Sequence, residues 1–291
     1  MPERTLAYLQ LISGAVLLST GSMAIKATDF SAVQLAGWRA LVIVAFLALA
    51  VRPAYSLYTR ALLPAAAAHA VTTLLFMWGN KLTTAATAIF LQYTAPLYLL
   101  VFGPWLLKEP VQRRDYVFVG VLLVGMLLLL ANPPARAATA ANPVLGGLVA
   151  ACCGVTWALT TLTMRGLARA ADAGFQRTIA SVIVANVALA AVLVPVFGFS
   201  DGPPAPRDLG IAAYMGVFQL GVAFILISLG LRKVTALEGS LLLLIEPVVS
   251  PVWVWLAHGE PLGGWSLAGG GLILLATGLR VVLAERSSKA G

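Results

Sequence analysis

Two stretches of the chain share one unusual pattern: residues 91–110 are LQYTAPLYLLVFGPWLLKEP, and residues 242–261 are LLLIEPVVSPVWVWLAHGEP. Each stretch is an apolar run with a proline near its start, Pro96 or Pro247, and a Glu-Pro pair at its end. In both stretches the glutamate follows the proline by 13 residues, so a shift of 151 residues superimposes the two without a gap. Self-similarity at a fixed offset indicates an internal repeat. The sequence therefore predicts two homologous halves.

The composition is unlike that of a soluble globular protein. Hydrophobic residues make up 60% of the chain and charged residues 10%, with a mean hydropathy of +0.93, whereas a soluble domain has about 25% charged residues. Apolar runs of about 20 residues, the length of a membrane-spanning helix, occur repeatedly. The formal net charge of +8 comes from Lys and Arg dispersed over short loops, which argues against a nucleic-acid partner. We predict an all-α integral membrane protein.

Ten apolar runs are predicted to cross the membrane as helices. Their approximate bounds are 6–25, 32–51, 62–80, 84–107, 115–132, 144–165, 176–197, 209–231, 235–256 and 265–284. The first run follows Arg4 in the manner of a secretory signal. We interpret it as an uncleaved first helix, because the paired architecture would otherwise lose one member.

One of the two longest gaps without an apolar run lies near the midpoint of the chain and contains Pro133, Pro134 and Pro143. We therefore predict a first five-helix repeat over residues 1–135, a linker over 136–142 and a second repeat over 143–291. Because five is odd, the second repeat enters the membrane from the opposite side. Inverted repeats around a central cavity are typical of secondary transporters.

The distribution of Lys and Arg predicts the orientation of the chain. If the N-terminus is cytoplasmic, the cytoplasmic segments contain fourteen Lys and Arg residues and the opposite segments contain four. This excess predicts that both termini are cytoplasmic. It also explains the basic net charge with lipid head groups as the anionic partner.

Taken together, the pattern resembles the drug/metabolite transporter superfamily, EamA-type branch. The residues that carry the resemblance are Pro96 and Pro247, each with its Glu-Pro pair, and the glycines at residues 269–271. The resemblance extends over essentially the whole chain. It implies a permease of the bacterial inner membrane and, from the activity of many members, export of amino acids or related small metabolites. These motifs carry almost no information about substrate, so efflux of drugs or toxic compounds remains an alternative.

Glu246 is the foremost candidate for a functional residue, because an acidic side chain at the centre of a membrane helix costs about 2.5–3.5 kcal/mol. It is a candidate for proton coupling or for binding a substrate amine; alternatively, it is a structural partner of backbone groups that the prolines free. Glu238, Leu242, Glu246 and Ser250 recur every four residues, so we predict that this helical face lines the cavity. The first half has Ala95 at the equivalent position, so a family role for a carboxylate there transfers to Glu246 alone.

Three prolines, Pro96, Pro247 and Pro251, are predicted to kink helices, because proline removes an internal hydrogen bond. A hinge and a static curvature needed for packing are both compatible with this pattern.

Two basic side chains lie inside predicted spans, and each has two interpretations. The guanidinium of Arg39 is a candidate to bind a substrate carboxylate in a bidentate manner, but the sequence favours snorkelling towards the membrane interface. The imidazole of His69 is a candidate proton relay, but the sequence favours a hydrogen-bonded contact between helices.

Aromatic and amide side chains deep within the spans complete the set of substrate candidates. Gln92 and Tyr93 rank first, because they precede Pro96 in the segment that is equivalent to the region around Glu246. The others, for which packing is the more frequent role, are Trp78, Trp157, Asn186, Tyr214 and Gln219.

The sequence favours a transporter over an enzyme. An integral membrane enzyme that acts on lipid-linked substrates needs clustered carboxylates, histidines or metal ligands, whereas the deep ionisable residues are few and scattered. Cys152 and Cys153 are adjacent and match neither a metal site nor a disulfide framework. We predict alternating access with a small-molecule substrate, membrane lipids as partners, and no cofactor or metal. A proton is a candidate coupling ion; the sequence leaves open the energy source, the flux direction and the oligomeric state.

Overall fold

The structure, a computed structural model, describes residues 3–83, 85–108, 111–130, 142–169, 173–200, 202–258 and 264–289. Within these residues every regular element is helical, as the predicted all-α class requires. Both Glu-Pro pairs and most of the predicted linker, residues 136–141, lie outside the described residues.

The first half of the chain forms seven α-helices. They are α1 (Glu3–Leu18), α2 (Gly21–Lys26), α3 (Ala32–Ala50), α4 (Leu63–Leu82), α5 (Ala85–Gln92), α6 (Ala95–Phe102) and α7 (Arg113–Leu130). Two 3₁₀ turns, Tyr55–Leu57 and Arg60–Leu62, precede α4, and a π-helical turn, Gly103–Leu107, extends α6. Helix α3 starts at a capping box in which the side chains of Ser31 and Gln34 each accept the other's backbone N–H.

The second half also forms seven α-helices. They are α8 (Pro143–Ala168), α9 (Gly174–Phe197), α10 (Pro206–Tyr214), α11 (Ala223–Gly230), α12 (Ala236–Leu243), α13 (Ile245–His258) and α14 (Gly264–Lys289). A π-helix, Met215–Val222, joins α10 to α11. The side chain of Asn142 caps α8 and that of Thr235 caps α12, each by accepting a backbone N–H of the first turn.

Six helical stretches are long and apolar enough to cross a bilayer. They are Glu3–Lys26, Ala32–Ala50, Arg60–Leu82, Val144–Ala168, Gly174–Phe197 and Pro206–Gly230. Four further helical stretches of the described chain (α5–α6, α7, α12–α13 and α14) coincide with the remaining predicted spans. Ten membrane crossings therefore remain a prediction.

The two stretches that define the repeat are both broken helices. Residues Tyr93 and Thr94 separate α5 from α6, and Leu244 separates α12 from α13. Pro96 and Pro247 lie in the first turn of the helix that follows, where the N–H that proline lacks would have no intrahelical partner. Pro251 lies in the interior of α13. The repeated prolines thus stand at the start of new helices and not in the middle of continuous ones.

Contacts between the two halves follow a symmetric pattern. Helix α3 packs against α9 and α7 against α14, while α4 packs against α8 as α1 packs against α11. If α1, α3, α4 and α7 are equivalent to α8, α9, α11 and α14, exchange of the two halves maps this set of contacts onto itself. The pattern is the one expected for a pair of repeats related by a two-fold axis.

A glycine also allows α8 to approach the break between α5 and α6 closely. A Cβ atom on Gly154 of α8 would meet the carbonyl oxygen of Leu91 and lie 2.6 Å from Oγ1 of Thr94. Helix α8 therefore packs directly on the backbone at the break between α5 and α6. Trp157 lies about one turn further along α8, so this contact positions its indole beside the break.

Candidate functional site

A small cavity of about 40 Å³ lies among helices of both halves. Its walls come from α1, α3, α4, α5, α8, the π-helix, α11 and α13. The residues that line it are Leu18, Arg39, His69, Thr72, Thr73, Phe76, Gln92, Trp157, Gln219, Leu220, Phe224 and Glu246. This volume accommodates about three water molecules.

Arg39 contributes an unpaired positive charge to the cavity. Its side chain is 2% exposed, its Nε has no hydrogen-bond partner in the described part of the chain, and no described carboxylate forms an ion pair with it. A charge buried in a protein interior is normally paired. The guanidinium of Arg39 is therefore a candidate to bind an anionic ligand.

The predicted snorkelling of Arg39 is therefore wrong. Arg39 lies on the buried stripe of α3 together with Leu35, Ala40 and Ile43, spaced as on one face of a helix. This stripe faces α9 and the π-helix, both of which pack closely on α3. The guanidinium points into the bundle because of the rotation of α3, which the apolar sequence around Arg39 does not reveal.

Glu246 lies in the first turn of α13 and is buried at the cavity. The hydroxyl of the buried Tyr93 donates a hydrogen bond to its Oε2. Tyr93 occupies the break between α5 and α6, so this hydrogen bond links the two helix breaks. The free N–H groups at the start of a helix also favour a negative charge there.

Gln92 lines the cavity next to this pair. Its Oε1 accepts a hydrogen bond from the thiol of Cys153, with the two atoms 3.4 Å apart. Cys153 is thus a packing residue of α8 that holds the Gln92 amide in place, as expected for a thiol with no metal-site spacing.

His69 contacts α9 and also lines the cavity. Its Nε2 is 3.3 Å from Nδ2 of Asn186, and its ring meets Phe224 edge to face, with ring centroids 4.8 Å apart. Its Nδ1 has no hydrogen-bond partner among the described residues. Nε2 of His69 thus lies at the contact with α9, and the role of the ring as a proton relay stays a prediction.

Trp157 and Gln219 complete the polar lining. In the described chain neither Nε1 of Trp157 nor Oε1 of Gln219 has a partner. The amide nitrogen of Gln219 donates to the carbonyl oxygen of Leu18 at 3.3 Å. The cavity thus combines several unsatisfied polar atoms with apolar and aromatic walls, as small-molecule sites do.

Some of the predicted site residues do not reach the cavity. Trp78 is 48% exposed on α4, and Tyr214 is 37% exposed with its hydroxyl hydrogen-bonded to Oγ1 of Thr20. Glu238 pairs with Arg4 and Tyr8, away from the cavity. The predicted face through Glu238 and Glu246 does not exist as one surface, because the helix breaks between them. Of that face, Glu246 alone belongs to the described cavity lining.

Several cavity residues were not predicted. They are Leu18, Thr72, Thr73, Phe76, Leu220 and Phe224. Apolar and threonine side chains occur throughout membrane helices, so their types carry no signal. No group of three or more His, Cys, Asp or Glu residues in the described ranges is arranged to hold a metal ion.

Comparison with known proteins agrees with this architecture. A solved crystal structure superimposes on the chain with a TM-score of 0.77 at 21% identity, covering 96% of this chain and 98% of that one, which establishes the shared fold. An uncharacterized transporter of Methanothermobacter thermautotrophicus is 24% identical over 207 residues. The match covers 70% of this chain but only 59% of that relative.

A second relative has a named substrate class. The aromatic amino acid exporter YddG of Ancylobacter novellus is 26% identical over 207 residues, covering 71% of this chain and 70% of that protein. The model of the EamA-like transporter family matches twice, over residues 5–131 and 144–282. The family resemblance inferred from the repeated prolines is thereby confirmed: the chain belongs to the EamA-like transporter family, whose members are membrane transporters and not enzymes.

Proposed function

We propose that this protein exports amino acids or related small metabolites across the bacterial inner membrane. The observation that carries the proposal is the buried, unpaired Arg39 in the same small cavity as Glu246. An amino acid carries a carboxylate that suits the planar fork of a guanidinium. It also carries an ammonium group that suits a carboxylate. Export of aromatic amino acids by the Ancylobacter relative agrees with this assignment.

Transport proceeds by alternating access between two five-helix repeats of inverted orientation, with ten membrane crossings and both termini cytoplasmic. The small size of the cavity, which holds about three water molecules, supports this proposal. A substrate therefore enters only after the helices around the cavity separate. The two helix breaks beside Tyr93 and Glu246 are the natural points for this movement, since a broken helix moves as two segments.

Glu246 is the group that we assign to coupling. It is the acidic residue of the cavity lining, and ionisable residues inside membrane proteins commonly mark proton or ion pathways. If transport is proton-coupled, Glu246 carries the proton; if it is facilitative, Glu246 serves the substrate amine. The substrate gradient alone drives flux in the second case.

Efflux of lipophilic drugs is the second candidate function. The aromatic side chains of Phe76, Trp157 and Phe224 favour it, because they offer an apolar wall to a flat ligand. The two functions differ in their need for Arg39. A lipophilic cation has no carboxylate that the guanidinium of Arg39 could bind. An amino acid has a carboxylate, and its binding requires Arg39.

The test is uptake of a labelled amino-acid panel into proteoliposomes that contain the purified protein, with empty liposomes as the baseline. We expect saturable uptake of at least one amino acid, blocked by an unlabelled excess and lost in Arg39→Met. Arg60→Met, at an exposed arginine outside the cavity, is the matched control and retains uptake. Absence of uptake across the panel by folded protein contradicts the amino-acid assignment. Amino-acid uptake that survives in Arg39→Met rejects the role of Arg39 in binding the carboxylate and retains the transport of amino acids.

A further inference from the structure

The unsatisfied polar atoms of the cavity differ in hydrogen-bonding character. Nε of Arg39 and Nε1 of Trp157 can only donate, whereas Oε1 of Gln219 can only accept. The fourth such atom of the cavity lining is Nδ1 of His69. A neutral imidazole carries its proton on either nitrogen. The ligand preference of this side of the cavity therefore depends on the tautomer of His69.

Asn186 determines which tautomer fits. Its Nδ2 lies 2.8 Å from the carbonyl oxygen of Val182, one turn earlier on α9. A carbonyl oxygen only accepts, so the amide group must present its nitrogen there, because the reversed orientation would place two oxygens in contact. The orientation of the Asn186 side chain follows from this backbone contact alone.

The same Nδ2 lies 3.3 Å from Nε2 of His69. An amide nitrogen has two protons and no lone pair to offer, so it donates to both neighbours. Nε2 of His69 must then accept, which requires that it carry no proton. The proton of the neutral ring is therefore on Nδ1, the buried nitrogen without a described partner. The edge-to-face contact with Phe224, at an interplanar angle of 85°, holds the ring plane.

We propose that Asn186 is a positioning residue that fixes His69 as the Nδ1–H tautomer, so that His69, Trp157 and Arg39 form a donor-only half-site for a substrate carboxylate. The inference rests on the proposed function for the identity of the ligand, but the tautomer itself does not depend on it. The three side chains line one small cavity, and their donor atoms are buried without a partner among the described residues. Such donors suit an anionic oxygen pair, because each hydrogen bond to a carboxylate is charge-assisted. Gln219, an acceptor, is then left for water or for the substrate ammonium.

The tautomer is measured directly by nitrogen NMR of ¹⁵N-histidine-labelled protein in lipid nanodiscs. The chain has two histidines, His69 and His258, so His258→Gln leaves the His69 imidazole as the sole histidine signal. We expect a protonated Nδ1 and an unprotonated Nε2. Protonation at Nε2, or at both nitrogens, in this variant overturns the proposal without any change at Asn186.

In a second experiment, the amide donor of Asn186 is replaced by the carboxylate acceptor of aspartate, which has the same shape. In His258→Gln/Asn186→Asp, a carboxylate oxygen faces Nε2, so the proton moves to Nε2 or the ring becomes doubly protonated. An unchanged Nδ1–H signal in folded Asn186→Asp protein overturns the positioning role. If the double variant does not fold, Asn186→Ala is measured in its place; we expect a mixture of tautomers, and an unchanged single tautomer overturns the role equally.

The preference for a carboxylate is tested with L-phenylalanine and with L-phenylalaninamide, in which a neutral amide replaces the carboxylate. In the His258→Gln protein, we expect L-phenylalanine to shift the Nδ1 signal of His69, and the amide to leave it in place. In transport, Asn186→Asp is expected to raise the KM for L-phenylalanine about tenfold where NMR shows that the proton has moved to Nε2, as for the loss of one hydrogen bond to a charged group, with little change in maximal rate. A doubly protonated ring retains the Nδ1–H donor, so the KM then stays near wild type.

The outcomes separate this inference from the proposed function. An Nδ1–H tautomer that depends on Asn186, in a protein that transports no amino acid, retains the positioning role and rejects the transport proposal. Equal shifts of Nδ1 by the acid and the amide reject the carboxylate half-site. Transport of L-phenylalanine with an Nε2–H tautomer rejects the inference and retains the proposed function.

Discussion

The hydroxyl of Tyr93 donates a hydrogen bond to the carboxylate of Glu246, and each of the two residues stands at the break of a repeated helix. Tyr93 belongs to the first half of the chain and Glu246 to the second. One hydrogen bond therefore joins the halves beside the cavity, at the positions where both helices are interrupted. A change in the protonation state of Glu246 would alter this hydrogen bond between the two breaks.

The first prediction concerns Glu246→Gln. The glutamine carbonyl still accepts the Tyr93 hydrogen bond, so we expect insertion and thermal stability close to wild type. Transport is expected to be lost or to become independent of a proton gradient, because the side chain no longer ionises. Uptake into proteoliposomes at several pH values, with and without an imposed gradient, measures this. Wild-type rates together with wild-type pH dependence in the variant exclude a coupling role for Glu246.

The second prediction is that Arg39 lowers stability in exchange for binding. A buried cation without a partner is unfavourable, and replacement of buried charges by apolar side chains of similar volume is often stabilising by about 1–4 kcal/mol. Arg39→Met should therefore raise the thermal unfolding temperature in detergent while it abolishes amino-acid uptake. Arg60→Met, at an exposed site, should leave both unchanged. A lower unfolding temperature for Arg39→Met means that Arg39 has a stabilising partner.

The third prediction concerns the junction of α1 with α12. Both Oε atoms of Glu238 lie 3.1 Å from Nη2 of Arg4, the Tyr8 hydroxyl donates to Oε1, and the Glu238 side chain is 4% exposed. Removal of one partner leaves a buried carboxylate partly unsatisfied, so Arg4→Met should cost about 1–3 kcal/mol of unfolding free energy. Arg4→Met/Glu238→Gln should recover part of this loss, because the charge is gone.

The control for this junction lies beside it. Lys233 and Glu3 form an ion pair of 2.7 Å whose side chains are 47% and 80% exposed. Exposed pairs contribute about 0–1 kcal/mol, so Lys233→Ala should change the unfolding free energy by less than Arg4→Met does. Thermal unfolding in the same detergent compares the variants. Equal losses for both would mean that burial of Glu238 contributes nothing.

The sequence predicted those features that depend on the cost of placing polar groups among apolar ones. Glu246, Arg39, His69 and Gln92 interrupt long apolar runs, and each of them lines the cavity. The sequence marked all four as candidates, although it favoured snorkelling for Arg39 and a helix–helix contact for His69. Polar and ionisable side chains inside the membrane usually face the interior of the helix bundle or a cavity, because exposure to lipid is costly. The two repeats were predictable for a related reason, since the register of the proline and Glu-Pro pairs survives in the sequence itself.

Features that depend on helix rotation or continuity were not predictable in this way. A tryptophan such as Trp78 occurs both on lipid-facing and on protein-facing surfaces of a helix. Its sequence context therefore could not show that Trp78 lies outside the cavity. The face drawn through Glu238 and Glu246 assumed a continuous helix, whereas the break at Leu244 turns the two carboxylates towards different partners. Phe224 and Thr72 gave no signal, because side chains of these types occur on every face of a membrane helix.

The last prediction concerns the contact that places Trp157 at the cavity. Gly154 of α8 packs on the backbone of Leu91 and on Thr94, at the break of the repeated helix. A backbone carbonyl cannot move away as a flexible side chain can, so Gly154→Ala forces α8 away from the break. Overpacking of this kind costs about 1–3 kcal/mol. Because the indole of Trp157 moves with α8, we expect Gly154→Ala to lower uptake as well as thermal stability.

Gly147→Ala is the matched control on the same helix. Among the described residues, no atom outside the nearby backbone of α8 itself lies within 4 Å of a Cβ built on Gly147. Alanine is about 1 kcal/mol more favourable than glycine inside a helix. This variant should unfold at the wild-type temperature or slightly above it, with normal uptake. Equal behaviour of the two variants would show that α8 is not held by its contact with the break. If Gly154→Ala protein is stable but has lost uptake, the contact of α8 with the break determines the geometry of the cavity at Trp157 and does not contribute to the stability of the bundle.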